Sequence, residues 1–465
     1  MSAIAQRWRL PRLLPHAPTP TAGAIALGAF TVAVAGLAAG RSPKLVVLAA
    51  VAGALVVLTL HWLLWASVVF IFITFPTVLP GWLGIGSTVA KPLGFLLIAA
   101  WALNLLQTHG RAFLLRDRPL LAWLLVAYAA WASASLAWTV DAGRTTYGVQ
   151  RLIPVVLLTF VIYTVASNRR HLLALIWTWA VTAGFWAAYA LATGTSVAGA
   201  RLTGGLNDPN YLASQLVFAV LVTGFLLGTT RRLGLRALLV ILLVVDMTAF
   251  VQTESRGGII GLGVALTAAV AIAGKTRGSV LALVAVLIAV VVGYVGVVAP
   301  AQLRHRVTTF SASQSSGRSD SWHIAELIWQ NNPALGVGLG GYQVAQVDYV
   351  STIQVQFVGQ ILYDRLVAHN TYLETLSELG AIGVLLLGGG IGIAFLDAGR
   401  SLRETARRED DEVDANIVRG LIAGSAGMLV AFFFVSAEYE KPLWIAIALL
   451  AATRPALARR AADPH

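Results

Sequence analysis

Apolar runs of about 20 residues recur along most of this chain, and no other feature limits its fold as strongly. A helix of that length crosses the hydrocarbon core of a bilayer. No water reaches backbone N–H and C=O groups there, so a spanning segment must be a helix or part of a closed barrel. Runs this long specify helices. Candidate spans fall at approximately 22–40, 45–60, 62–80, 89–106, 119–138, 151–166, 171–193, 210–229, 235–252, 257–273, 279–299, 371–396, 417–436 and 442–455. The stretch 45–80 has no polar break beyond His61 and Trp62 and is too long for one span, so it reads as two tightly joined helices. Composition agrees, with 58% hydrophobic and 12% charged residues, against about 25% charged in a soluble domain. The expected fold class is all-α: a polytopic integral membrane protein with about 12–14 transmembrane helices.

Charge orients the bundle. Most of the 33 Lys and Arg residues lie in the segments 1–21, 107–118, 167–170, 230–236, 274–278, 397–419 and 454–460. With the N-terminus inside, all of these fall on one side, and the positive-inside rule places both termini in the cytoplasm. Reading 45–80 as one span would break that alternation. The net charge of +12 is spread over short loops, so topology accounts for it and no nucleic-acid footprint is implied. The chain has no Cys, which excludes disulfides and thiol catalysis. Arg7-Trp8-Arg9 reads as a short basic tail rather than part of a cleaved signal peptide, because no polar domain follows it.

The opposite, outer face holds four polar segments: 139–150, 194–209, 252–258 and 300–370. In the longest, Ser319 to Gln330 reads as a short helix stopped by Asn331-Asn332-Pro333, and 343–366 as a second helix lying on the membrane surface. Gly336, Gly338 and Gly341 match the spacing G-x-G-x-x-G. No strand precedes them, so a turn is expected rather than a dinucleotide site. His323 and Glu326 lack a second histidine one turn away and read as the polar face of the short helix, not as metal ligands. The segment 397–416 reads as a solvated, charged inner linker. Three units follow: an N-terminal bundle at 1–199, a catalytic core at 200–396 with its loop at 300–370, and a C-terminal unit at 397–465.

His369 closes the long polar segment and opens a membrane helix. Histidine is the side chain whose ordinary pKa lies nearest neutrality, so this position suits a proton handler. Thr371-Tyr372-Leu373-Glu374 matches a capping box, which assigns Glu374 to the helix start. Asp208 fits an N-cap, with Pro209 as the first helical residue. Arg201 reads equally as a solvated loop cation or as a ligand-binding one, and composition alone does not choose for Arg318. Arg256 lies in the very short turn Glu254-Ser255-Arg256-Gly257-Gly258. It is either an interfacial anchor paired with Glu254 or a guanidinium aimed at a phosphate. The cost of holding an arginine at the hydrocarbon edge favours the second.

Together these residues resemble a known family. Ser255-Arg256-Gly257-Gly258, Arg318 with Trp322, the Pro333…Gly336-Val337-Gly338 turn, His369-Asn370-Thr371-Tyr372 and Glu378-Leu379-Gly380-Ala381-Ile382-Gly383 are similar to the core of the O-antigen ligase and polymerase superfamily. Arg201-Leu202-Thr203-Gly204 and Asp208-Pro209-Asn210 resemble its upstream element. The resemblance spans about 200–385, and fourteen spans is two more than many members show. It implies a GT-C-like, metal-independent glycosyltransferase of the bacterial inner membrane, without cofactor, whose active site faces the periplasm. The donor it implies is a glycan on undecaprenyl pyrophosphate. A ligase passes the glycan to lipid A–core in lipopolysaccharide assembly; a polymerase passes it to another lipid-linked repeat unit. Carried over residue by residue, the catalytic histidine falls on His369 and the two diphosphate-binding arginines on Arg256 and Arg318. Arg201, Asn210, Asn370 and Tyr372 are then expected to bind substrate.

Elementary chemistry agrees with that assignment. The donor brings a good leaving group, so the protein must neutralise its growing charge and remove a proton from the acceptor hydroxyl. Fixed arginines do the first and a neutral His369 the second. Direct attack inverts the anomeric centre. Ligase is preferred over repeat-unit polymerase. A transporter or flippase is the rival of another class; it would show internal repeats and mid-membrane charges. No repeat is evident, and Asp246 is the clearest charge within a span, as a lone packing residue or an effect of the chosen boundaries. A structural scaffold would leave Arg256 and the long outer loop without a purpose.

Overall fold

The computed structural model describes residues 53, 57–76, 90–108, 113–194, 196–197, 201–204, 208–293, 296, 318–350, 367–408 and 412–458. It is an all-α polytopic membrane protein. The main helices are α1 (Leu63–Thr74), α2 (Ala90–Thr108), α3 (Pro119–Ala134), α4 (Ala142–Val165), α5 (Arg169–Thr193), α6 (Pro209–Thr229), α7 (Leu233–Gln252), α8 (Arg256–Ile272), α9 (Arg277–Gly293), α10 (Arg318–Asn331), α11 (Tyr342–Tyr349), α12 (Thr371–Ala406), α13 (Glu412–Ala431) and α14 (Lys441–Ala458). A two-stranded hairpin, Ser196–Val197 against Arg201–Leu202, joins α5 to α6. Among the described residues, eight helices are long and apolar enough to cross a membrane, or nine if a pair bent by 112° after Ile272 counts as one span. The expected span 22–40 and most of 45–60 lie outside the described residues.

Several boundaries differ from those expected. Helix α4 starts at Ala142 rather than near 151, capped by Asp141, whose carboxylate accepts from the Arg144 N–H. The inner linker expected from residue 397 is largely helix: α12 continues to Ala406. Asp397 is buried on it and pairs with Arg118 at 3.2 Å. The charges there lie on one helix rather than in a solvated connection; Arg400 and Asp397 are an i,i+3 pair. Asp246 is no effect of boundaries. It sits inside α7, fully buried, and neither carboxylate oxygen has a hydrogen-bond partner.

The bundle has two chemically distinct ends. One is tied by ion pairs between segments distant in sequence, Arg118 with Asp397, Arg169 with Asp414 at 2.6 Å and Arg454 with Glu404 at 2.8 Å, and by Arg419 with Glu412 at 2.5 Å within α13. The other gathers the polar segments expected on the outer face. There α10 and α11 form a small core of their own around Ile324, Ile328, Val337, Tyr342 and Ala368. Helix α10 spans the residues expected of it, and His323 and Glu326 lie on its exposed face. Of the second surface helix expected at 343–366, α11 is described and 351–366 lie outside the described residues.

The glycine turn after α10 is built into a break in α12. Gly380 has φ 66° and ψ −170°, a conformation essentially confined to glycine. Backbone groups that this break frees find partners elsewhere. Ser377 and Glu378 carbonyls accept from Val337 and Gly338 N–H at 3.0 and 2.9 Å. The Leu379 carbonyl accepts from the Trp131 indole at 2.9 Å, and Ala381 N–H donates to the Pro333 carbonyl at 2.9 Å. A Cβ at Gly380 would lie 2.1 Å from the Ala334 carbonyl oxygen. Gly380→Ala is therefore expected to destabilise the protein by about 2 kcal/mol or more, seen as a lowered midpoint of thermal unfolding in detergent.

Candidate active site

Of the helices that begin at the polar end, α6, α8, α10 and α12 supply the candidate site with their starts. Free N–H groups and the helix dipole make such starts favourable for anions. At α6, Asp208 is the N-cap expected, accepting from Asn210 N–H at 2.7 Å, and Pro209 is the first helical residue. At α8, the Ser255 hydroxyl oxygen accepts from Gly258 N–H at 3.0 Å, and the hydroxyl donates to Asn210 Oδ1 at 2.9 Å. Arg201 donates through Nε to the Thr253 carbonyl at 3.0 Å and through Nη2 to Asn210 Oδ1 at 3.2 Å. Arg201 and Asn210 thus form a layer beneath the turn that presents Arg256 as the first residue of α8.

Helix α12 corrects the capping assignment. Its N-cap is Asn370, whose side-chain oxygen accepts from Tyr372 and Leu373 N–H at 3.0 and 3.1 Å. Asparagine outcompetes the Thr-x-x-Glu pattern because its carbonyl reaches two free N–H groups at once. Glu374 bonds elsewhere, its carboxylate accepting from the Ser436 hydroxyl and from the Ala368 N–H. The Tyr372 hydroxyl donates to the Leu429 carbonyl at 2.7 Å, and its ring lies 4.3 Å from that of Phe433.

His369 precedes this cap with φ 50°, and Glu254 precedes the α8 cap with φ 50°. They are the two non-glycine residues with positive φ among those described. A left-handed residue other than glycine costs about 1–2 kcal/mol and persists only where its surroundings enforce it, a condition that recurs at functional sites. His369 is partly buried, and its Nδ1 is shielded from solvent without a hydrogen-bond partner. Burial and the charge of Arg318 push its pKa below the ordinary histidine value, and Asp208 opposes them. Charges at the starts of α6 and α10 therefore act on this imidazole at the start of α12.

Phe434 ties α8 to the same place. A Cβ on Gly257 would touch it at 2.5 Å, and its ring lies 5.9 Å from that of Trp322, one turn beyond Arg318. Arg256 and Arg318 thus flank one aromatic contact. The Trp322 indole nitrogen is also shielded and without a partner. Sequence reading named Trp322 beside Arg318 but gave it no role; its spacing of four from Arg318 was the available signal for a donor here. No group of three or more His, Asp or Glu side chains among the described residues is arranged to hold a metal ion.

Residues 242–388 match the family model described as O-antigen ligase. They include Arg256, Arg318, His369, Asn370 and Tyr372, whereas Arg201 and Asn210 lie upstream. A comparison with curated proteins returns no match. A solved structure described as "Structural coordination of polymerization and crosslinking by a peptidoglycan synthase complex" contains a similar chain. It is 15% identical, with a TM-score of 0.39 over 72% of this chain and 96% of that one, too distant to bear on fold or activity.

Proposed function

We propose that this chain is an O-antigen ligase, a reading supported by the match of residues 242–388 to the O-antigen ligase family model. In this reading it moves a glycan from undecaprenyl pyrophosphate to lipid A–core, at the periplasmic face of the bacterial inner membrane. The observation that carries the mechanism is the His369 imidazole, partly buried, held on a left-handed backbone before α12 and acted on by the charge of Arg318. A pKa below the ordinary value keeps it neutral at neutral pH, as a general base requires.

The His369 imidazole takes the proton of an acceptor hydroxyl, whose oxygen attacks the anomeric carbon. The bond from that carbon to the diphosphate oxygen breaks with inversion. Undecaprenyl pyrophosphate leaves with the bonding pair, and its negative charge is held by Arg256, Arg318 and the starts of α8 and α10. These donors are fixed before reaction, so they need little reorganisation as charge develops. Arg201 and Asn210 support the Arg256 turn, while Asn370 and Tyr372 hold the start of α12. No step needs a metal ion or cofactor. The basic segments, together with the ion-paired end, support placing that end in the cytoplasm.

Purified protein given a defined lipid-linked glycan, with lipid A–core and lipid-linked repeat units as separate acceptors, tests the assignment. Product on lipid A–core alone supports ligase; product on repeat units alone makes the protein a polymerase. Asp208→Asn keeps a good N-cap but removes the charge that raises the His369 pKa. The acid limb of the transfer rate should then move to lower pH, read from single-turnover rates between about pH 5 and 8.

A further inference from the structure

His369 and Arg318 reach the site on segments distant in sequence, yet carboxylates one turn apart on α12 hold both. Glu374 and Glu378 are 3% and 1% exposed, too enclosed to meet a substrate. Glu374 accepts from the Ser436 hydroxyl and the Ala368 N–H, directly before the left-handed His369. The Thr371 N–H, which donates to the Val435 carbonyl at 3.0 Å, ties down the other side of that turn. Glu378 accepts from the backbone N–H groups of Gly340 and Tyr342, the latter at 3.3 Å. The buried Tyr342 hydroxyl in turn donates to the Ser321 carbonyl at 2.9 Å, in the first turn of the helix that Arg318 begins.

We infer that Glu374 and Glu378 are positioning residues of the transfer reaction, Glu374 for the base and Glu378 for the arginine-bearing helix. The inference rests on the roles proposed for His369 and Arg318. Each carboxylate meets two donors and must accept from both. A carboxamide offers one acceptor oxygen and turns an NH2 donor toward the other N–H, so glutamine at 378 breaks one contact of its pair while keeping the side chain's size. At 374 the Ser436 hydroxyl can reverse and accept from an NH2, so leucine, which offers neither donor nor acceptor, is the informative replacement there.

The test uses the full-length protein in liposomes with an undecaprenyl-pyrophosphate-linked glycan. Glu374→Leu is expected to lower kcat about tenfold or more with donor KM within about twofold of wild type. Glu378→Gln is expected to raise donor KM about tenfold with kcat little changed. Ser436→Ala and Tyr342→Phe remove one hydrogen bond each and should follow the same split more weakly, which keeps the test open if a variant at 374 or 378 fails to fold. Amide hydrogen exchange gives a readout independent of catalysis. Exchange in 367–373 should quicken in Glu374→Leu alone, and exchange in 318–331 in Glu378→Gln alone. Equal loss of kcat and KM in both pairs of variants, or unchanged exchange in those segments, overturns the inference. Failure of the base role itself would show separately, as full transfer by a His369 variant.

Discussion

His369→Asn is expected to lower glycan transfer by about 10²–10⁴-fold, the usual worth of a general base, while donor affinity stays near that of the unaltered protein. Asparagine is the informative replacement because of the backbone. Position 369 is left-handed, with φ 50°, and asparagine tolerates that region better than most residues. It keeps the turn while losing a nitrogen able to take a proton near neutrality. His369→Ala should lose as much activity and in addition carry the strain of a left-handed alanine, about 1 kcal/mol. Comparing the two separates base chemistry from backbone geometry. Single-turnover rates at saturating donor, with binding of undecaprenyl pyrophosphate measured in parallel, provide the check.

Arg318→Gln should act twice. It removes a guanidinium from the leaving diphosphate, at a cost of about 10²–10³-fold in rate. It also removes the positive charge that lowers the His369 pKa. That pKa then rises, more imidazole is protonated at any given pH, and the acid limb of the rate profile moves to higher pH. Arg318→Lys should weaken donor binding, because an ammonium cannot make the forked contact, yet leave the acid limb near its original position. Arg318 is the arginine whose charge lowers the His369 pKa, so Arg256→Gln should weaken donor binding and move the limb less than Arg318→Gln. Rate–pH profiles of the three variants, with donor affinity from equilibrium binding, distinguish these outcomes.

What the sequence made legible was local. Apolar length located the described spans, and the Asp208-Pro209 cap and the short helix from 318 followed from residue type and spacing. Features set by distant partners stayed hidden. The Thr-x-x-Glu pattern at 371–374 pointed to a capping box, but Asn370 takes the cap and the Glu374 carboxylate bonds Ser436, which is remote in sequence. Gly380 stood in an apolar run that looked continuous; the turn at 333–338 inserted beside it is what requires the break. The 112° bend after Ile272, by contrast, falls at the polar break expected at 274–278. His369, Arg256 and Arg318 were readable as residues, whereas their approach through the starts of α6, α8, α10 and α12 is a product of tertiary packing.

The central claim is that His369 drives transfer from a lipid diphosphate. Its most direct test counts undecaprenyl pyrophosphate released against glycan transferred, in liposomes holding either the unaltered protein or His369→Asn, across about pH 5 to 8. One release per transfer is predicted, with an acid limb below about 6.5 and both products lost in the variant. Transfer by His369→Asn at the unaltered rate would contradict the account.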